Sequence, residues 1–466
     1  MSFSLRLLTF WAIVLLVTPL HAKKTTIKGS AVQFTSQTIR VYRYNDLINL
    51  TEQRIGADQI NENGQFELVF DLQHTERLTL RIDDKAAIVY AQPGKVLNVV
   101  LTYDDVLNAK KLYDKQLSVD ISFPQPEEIN GLLMQFMKDY NQFIVDNEKR
   151  FVTNSALAAI KEFSAEQKKK YENTSNKAFL RILELNLAIL FDAALGSKRQ
   201  TFENHFKTKP IAYHDYDYME LFRQFYARRF EQLALGKNGM ELLAKVNGTF
   251  DYPWLLQLIK NDIYVNQQDT LAELLLIYGL SEAYYDEELF KAEKVLAALN
   301  HIGKVSPYPT HGKLAQQVVQ RLTYLKPGTA APTISVIDEN GDAIEVVKSG
   351  SNKISYIQFW SSRSPSSMRE MVLLNALYTK YHPTVEFVSI NMDKKGTNWE
   401  QLLKNKNYEW TFGIPVDMQE LKRSYQLNNY PLYLLVGKNG KIIQYPAATP
   451  TESIEKTLYD LSNKKP

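Results

Sequence analysis

The 466-residue chain contains no cysteine. That absence excludes structural disulfides, a thiolate nucleophile, cysteine-ligated zinc and an acyl anchor on an N-terminal cysteine. An excess of charge of one sign is also missing. Lys and Arg number 55 against 52 Asp and Glu, a formal +3. Such a balance provides no basic field for nucleic acid and no acidic field for cations. Histidine is scarce, with seven residues: His21, His74, His205, His214, His301, His311 and His382. None lies at metal-ligand or triad spacing, and no His-Glu-x-x-His or Gly-x-x-x-x-Gly-Lys word occurs. No catalytic residue, metal ligand or cofactor is therefore expected.

Long apolar runs are missing too, apart from one at the N-terminus. Arg6 is followed by an apolar stretch over residues 7–20 and then His21, Ala22, Lys23 and Lys24. One positive charge, a short apolar core and a small residue before polar sequence are the parts of a secretory signal. The run is shorter than the roughly 20 residues of a membrane-spanning helix. Residues 1–22 are thus expected to be removed. The remainder is expected to be exported, to the periplasm or outside the cell, with no membrane span.

At roughly 100–200 residues per domain, the rest suggests three domains, at 23–118, 119–325 and 326–466. In the first, residues 38–44, 64–70, 77–82 and 95–101 alternate apolar and polar. Period-two alternation with Asn63-Gly64 and Pro93-Gly94 between runs predicts a small antiparallel β-sandwich. In the second, apolar residues recur every three or four positions, as in Leu132, Leu133, Phe136, Tyr140 and Phe143. This predicts an all-α region of amphipathic helices, punctuated by Pro124, Pro126, Pro210, Pro253, Pro307 and Pro309. Its many tyrosines suit a packed core with hydroxyls at the rim, or a partner surface.

After Lys326-Pro327-Gly328 strands and helices alternate. A hairpin with an Asn340-Gly341 turn precedes a buried strand over 354–360, a polar loop and a helix from about 366 to 381. A strand over 385–392, a short helix at 399–404, a second hairpin and a last helix follow. The order predicts an α/β domain with a mixed sheet. Phe359-Trp360 closes the first core strand, and Ser364-Pro365-Ser366-Ser367 leads into the helix with Arg363 and Arg369 on either side. Asp393 follows the second core strand, Trp399 falls on the short helix, and Tyr430-Pro431 precedes the second hairpin.

Together these words resemble the thioredoxin superfamily, in particular its exported TlpA-like branch, over roughly residues 327–466. The resemblance implies a redox loop whose two cysteine positions fall on Ser364 and Ser367, and a cis-proline at Pro431 that faces them and aligns a bound peptide. It implies thiol–disulfide exchange, which needs a thiolate at a helix N-terminus. A serine hydroxyl stays protonated near neutral pH, so the implied chemistry is excluded by composition alone. Ser364 and Ser366 suit helix caps and Pro365 the first turn. A serine nucleophile lacks a base, since His382 lies at the far end of the helix, roughly 20 Å away at about 1.5 Å per residue.

The expected function is accordingly non-catalytic: binding or scaffolding of a peptide or envelope protein. The candidate contact residues are Trp360, Arg363, Arg369, Tyr430 and Pro431, with the helix N-terminus offering an anion site and the loop before Pro431 a strand edge. The alternatives are an enzyme of another class with its site where the helical region meets the last domain, and a redox-inactive protein that retains the family's affinity for disulfide-bearing partners.

Overall fold

The computed structural model describes residues 22–104, 115–120, 127–347, 350–351, 353–393 and 408–463. Residues 1–21 of the expected signal sequence (1–22), Pro124, Pro126, Trp399 and the short helix expected at 399–404 lie outside the described residues. The chain divides into two compact units, 1–314 and 315–466.

The first unit opens with strands β1 (Lys23–Ser30), β2 (Thr38–Asp46), β3 (Thr51–Gln59), β4 (Gln65–Leu72), β5 (Glu76–Ile82), β6 (Lys85–Ala91), β7 (Val96–Thr102), β8 (Lys115–Gln116) and β9 (Ser118–Asp120). They form two sheets, ordered β4-β1-β7-β9 and β3-β2-β5-β6-β8. Alternate residues of β4 are buried, so one face looks inward. Ile27, Leu68, Leu80, Val89 and Val99 share one core between the sheets. Pairing is antiparallel except at β1–β7 and β6–β8, which run parallel. Close approach in the β1–β7 pair depends on Gly29: a Cβ there would meet the Val99 carbonyl oxygen at 1.8 Å.

The remainder of this unit is helical, from Ile129–Asp146 onward. The apolar stripes bury as one cluster that includes Phe136, Phe163, Phe179, Leu183 and Leu190. The helix Asp269–Ala283 is buried on all sides, and Gly279 lets it lie against Phe230. Tyr218, Tyr226, Tyr278 and Tyr284 are buried among the helices, and the Tyr226 hydroxyl donates to the Tyr264 carbonyl at 2.6 Å. Tyr285 is exposed. Sheets and helices are tied together through Asn130, which accepts from the Tyr90 N–H at 2.7 Å and donates back to its carbonyl at 2.9 Å.

The second unit holds a mixed seven-stranded sheet of β10 (Ser335–Asp338), β11 (Ala343–Glu345), β12 (Ile354–Trp360), β13 (Val385–Asn391), β14 (Thr411–Pro415), β15 (Leu432–Val436) and β16 (Ile442–Gln444), ordered β11-β10-β14-β13-β12-β15-β16. β12 and β13 run parallel, joined by the crossover helix Pro365–Tyr381, whereas β15 runs antiparallel to β12. Both sheet faces are covered. Met371, Leu374 and Leu377 pack on one side with Ile454 and Leu458 of the final helix. Leu421 and Tyr425 pack on the other. Every residue of β12 is buried, as a central strand between two helical layers requires.

Candidate functional site

The site lies where β12 gives way to the crossover helix. Pro365 occupies the first turn, where its missing N–H costs nothing, and Ser364 is the N-cap. The Ser364 hydroxyl accepts from the Ser367 N–H at 3.2 Å and donates to the Tyr430 carbonyl at 2.9 Å. It is half-buried and fully engaged. Ser367 is buried, and its hydroxyl oxygen accepts from the Ser361 N–H at 3.4 Å. The Tyr430–Pro431 peptide bond is cis, as is Tyr445–Pro446, which the sequence had not signalled.

Behind the loop, Asp393 acts as a hub. It accepts from the Ser361 hydroxyl at 2.5 Å, the Ser362 N–H at 3.1 Å and the Asn391 side chain at 3.1 Å. Burial raises its carboxyl, but these hydrogen bonds to the charged form outweigh burial and hold it below the usual range. Tyr430 is pushed up to about 12, by burial first and then by the Asp393 charge.

A second buried polar line crosses the sheet beneath the helix. The Trp410 indole donates to Ser389, Ser389 donates to Gln358, and Gln358 donates to the Tyr433 hydroxyl, each at 2.8 Å. Tyr433 donates to Glu370 at 3.2 Å, and Thr451 meets the other carboxylate oxygen at 2.8 Å. Every donor in this line has its acceptor, so the buried groups stabilise one arrangement of helix and sheet.

The structure thus brings Ser364, Pro365, Ser366, Ser367, Tyr430 and Pro431 to one place. Arg363 and Arg369 stand exposed beside them, and Arg369 donates to the Ser366 hydroxyl at 3.0 Å. Trp360, expected among the contact residues, belongs instead to the core. It is fully buried and packs edge-on against Phe412 at 6.4 Å. Both faces of β12 are covered, and Trp360 lies with Tyr356 in the core beside Met371 and Leu374. Ser361 and Asn391 carried no signal in sequence; they matter because parallel pairing sets Trp360 opposite Asn391.

Chemically, the loop has no group that can exchange electrons and no activated nucleophile. The Ser364 proton points at a carbonyl, not a base.

Residues 352–442 match the family model described as thioredoxin-like. The C-terminal domain is thioredoxin-like. Its curated relatives include the thiol-disulfide oxidoreductase ResA of Bacillus thuringiensis subsp. konkukian, 29% identical over 119 residues, which cover 25% of this chain and 67% of the relative. ResA of Bacillus cereus strain ATCC 10987 matches to the same extent. Among solved structures, the thioredoxin domain of a thiol-disulfide oxidoreductase from Bacteroides vulgatus is 19% identical with a TM-score of 0.27, over 29% of this chain and 98% of that one. A thiol-disulfide oxidoreductase from Bacteroides fragilis is 22% identical with a TM-score of 0.25, over 28% and 99%. The relatives are named for a thiol reaction; this thioredoxin-like domain has no thiol with which to perform it.

Proposed function

We propose that this is an exported protein of the TlpA-like branch in which the former redox loop has become a non-catalytic binding surface for an extended peptide or an envelope protein. The observation that carries the reading is the fate of Ser364. In the place of the attacking sulfur stands a hydroxyl consumed by the helix cap and by Tyr430. The Tyr430–Pro431 bond is cis, and among the described residues the Tyr430 N–H has no partner. A free N–H in a loop that leads into β15 suits addition of an extended segment. Arg363, Arg369 and the helix N-terminus favour a segment carrying negative charge. Among the described residues no helix is long and apolar enough to cross a membrane.

Site-specific photocrosslinking tests this reading. A benzoylphenylalanine at exposed Ser366 is expected to capture a discrete protein or peptide from envelope extract. The same group at exposed His382, the C-cap of the same helix, is expected to capture none. Equal adducts from both positions, or none from either, would overturn the proposal. Turnover of a dithiol substrate by the purified protein would overturn its non-catalytic half.

A further inference from the structure

The first unit contains a cavity of about 710 Å³ between its β-sandwich and its helices, lined among others by His74, Arg77, Tyr90, Ile182 and residues 209–218. The size is within the roughly 300–1,000 Å³ of small-molecule sites. Its lining has three fixed cations (Arg77, Arg181, Lys209) and three carboxylates (Glu184, Asp215, Asp217). Selection must therefore rest on individual groups and not on a field.

Most of those groups are already engaged. Arg181 pairs with Asp215 at 2.5 Å, and Lys209 donates to the Asn204 carbonyl. Asp217 is buried and accepts from the Tyr90 hydroxyl at 2.9 Å and from Asn186 at 2.8 Å. The Tyr213 hydroxyl is 2.6 Å from His311 Nε2, so the tyrosine contributes its ring to the wall and not its proton. Arg77 differs. It is half-buried, its guanidinium lies 4.0 Å from the centre of the Tyr216 ring, and it donates to the Tyr44 hydroxyl at 2.9 Å. Among the described residues no carboxylate comes within ion-pair distance of it. Stacking on Tyr216 holds the planar fork in one orientation with donors to spare, the arrangement that recognises a carboxylate edge-on. Nearby, His74 and His214 stack with ring centres 4.9 Å apart, and Ile182, Leu185 and Ile211 supply apolar wall.

We propose that this cavity binds a small organic acid, with its carboxylate on Arg77 and its apolar body against the aromatic and aliphatic walls. The site is independent of the thioredoxin-like domain and of the function proposed for it.

Ligand-observed fluorine NMR on the full chain tests the assignment with 4-fluorobenzoate as probe and 4-fluorobenzamide as its uncharged isostere. The acid is expected to broaden in the presence of the protein. A hydrogen-bonded charge pair corresponds to roughly tenfold or more in affinity, so the amide should bind at least about tenfold more weakly, and the Arg77→Gln protein should lose the acid to the same degree. Ala212→Trp keeps Arg77 but fills space at the half-buried lining, and should also abolish binding. Circular dichroism of both variants reports whether each is folded; should Arg77→Gln unfold, the Ala212→Trp and amide results decide. No broadening of the acid up to about 10 mM, equal binding of acid and amide, or undiminished binding to a folded variant would each overturn the proposal.

Discussion

The hydroxyl of Ser364 donates to the carbonyl of Tyr430 at 2.9 Å while its oxygen caps the helix through the Ser367 N–H. One atom thus joins the start of the crossover helix to the loop that leads into β15. Ser364→Ala removes both bonds, and a lost cap costs about 1 kcal/mol with a similar sum for the second bond. The expected loss is about 1–2 kcal/mol, local to the loop. Amide hydrogen exchange over the first helical turn should quicken by about 5–30-fold, with little change in the final helix.

Ser364 is half-buried and Ser367 is buried, the asymmetry a thiol pair requires if one sulfur is to attack and the other to resolve. Introducing both as Ser364→Cys with Ser367→Cys should yield a chain whose two thiols disappear on mild oxidation and return on reduction. Reduction of a disulfide substrate should rise above the wild-type background. The position of a cap at a helix N-terminus favours the thiolate form. Retention of two free thiols after oxidation would count against the alignment of these serines with the redox pair.

Asp393 is held below the ordinary carboxylate range by hydrogen bonds to its charged form, in excess of the opposing effect of burial. Such a group stabilises the fold above its unfolded value, and that stability is lost as pH falls through its folded value. Asp393→Asn also turns an amide toward donors from Ser362 and Asn391. The variant should be less stable than wild type by about 1–3 kcal/mol at pH 7. The difference should shrink below about pH 3. Denaturant titrations at the two pH values, followed by buried Trp360 and Trp410 fluorescence, measure it.

Much of the architecture was legible in sequence, and for identifiable reasons. β4 alternates in burial as it alternates in composition, because one of its faces is wet. The cap at Ser364 was visible because Ser-Pro before an apolar period is local chemistry. Trp360, expected as a contact residue, is buried with the rest of its strand, which the sequence already reads as buried throughout. Contacts that depend on topology carried no signal. Ser361 and Asp393 are 32 positions apart and meet only because β12 and β13 run parallel. Tyr213 and His311 are 98 apart, and neither stands in a recognisable word.

Glu273 and His311 form a wholly buried pair at 2.8 Å, flanked by the Tyr252 and Tyr213 hydroxyls at 2.6 Å. Removing one partner strands the other. Glu273→Leu should cost about 3–5 kcal/mol, whereas an apolar replacement of both partners often recovers much of that. A double-mutant cycle with His311→Leu should therefore show strong coupling, with the double variant more stable than the summed single effects. Additive losses would mean that the pair contributes only by packing.

Asp217 gives the opposite pH signature to Asp393. Burial pushes its carboxyl up to about 6, with the Asn186 and Tyr90 hydrogen bonds only partly opposing that rise. The folded chain then holds a proton that the unfolded chain has already released between about pH 4 and 6, so this group lowers stability as pH rises through that window. That displacement corresponds to roughly 3 kcal/mol. Asp217→Asn removes the ionisation and keeps an acceptor for one of the two donors. It should be more stable than wild type at pH 7.5, and the advantage should vanish near pH 4. If Asn186 and Tyr90 instead hold the ionised form more strongly than burial opposes it, the variant will be less stable at every pH above 4. Thermal unfolding of the first unit across that range separates the two cases by the sign of a single difference.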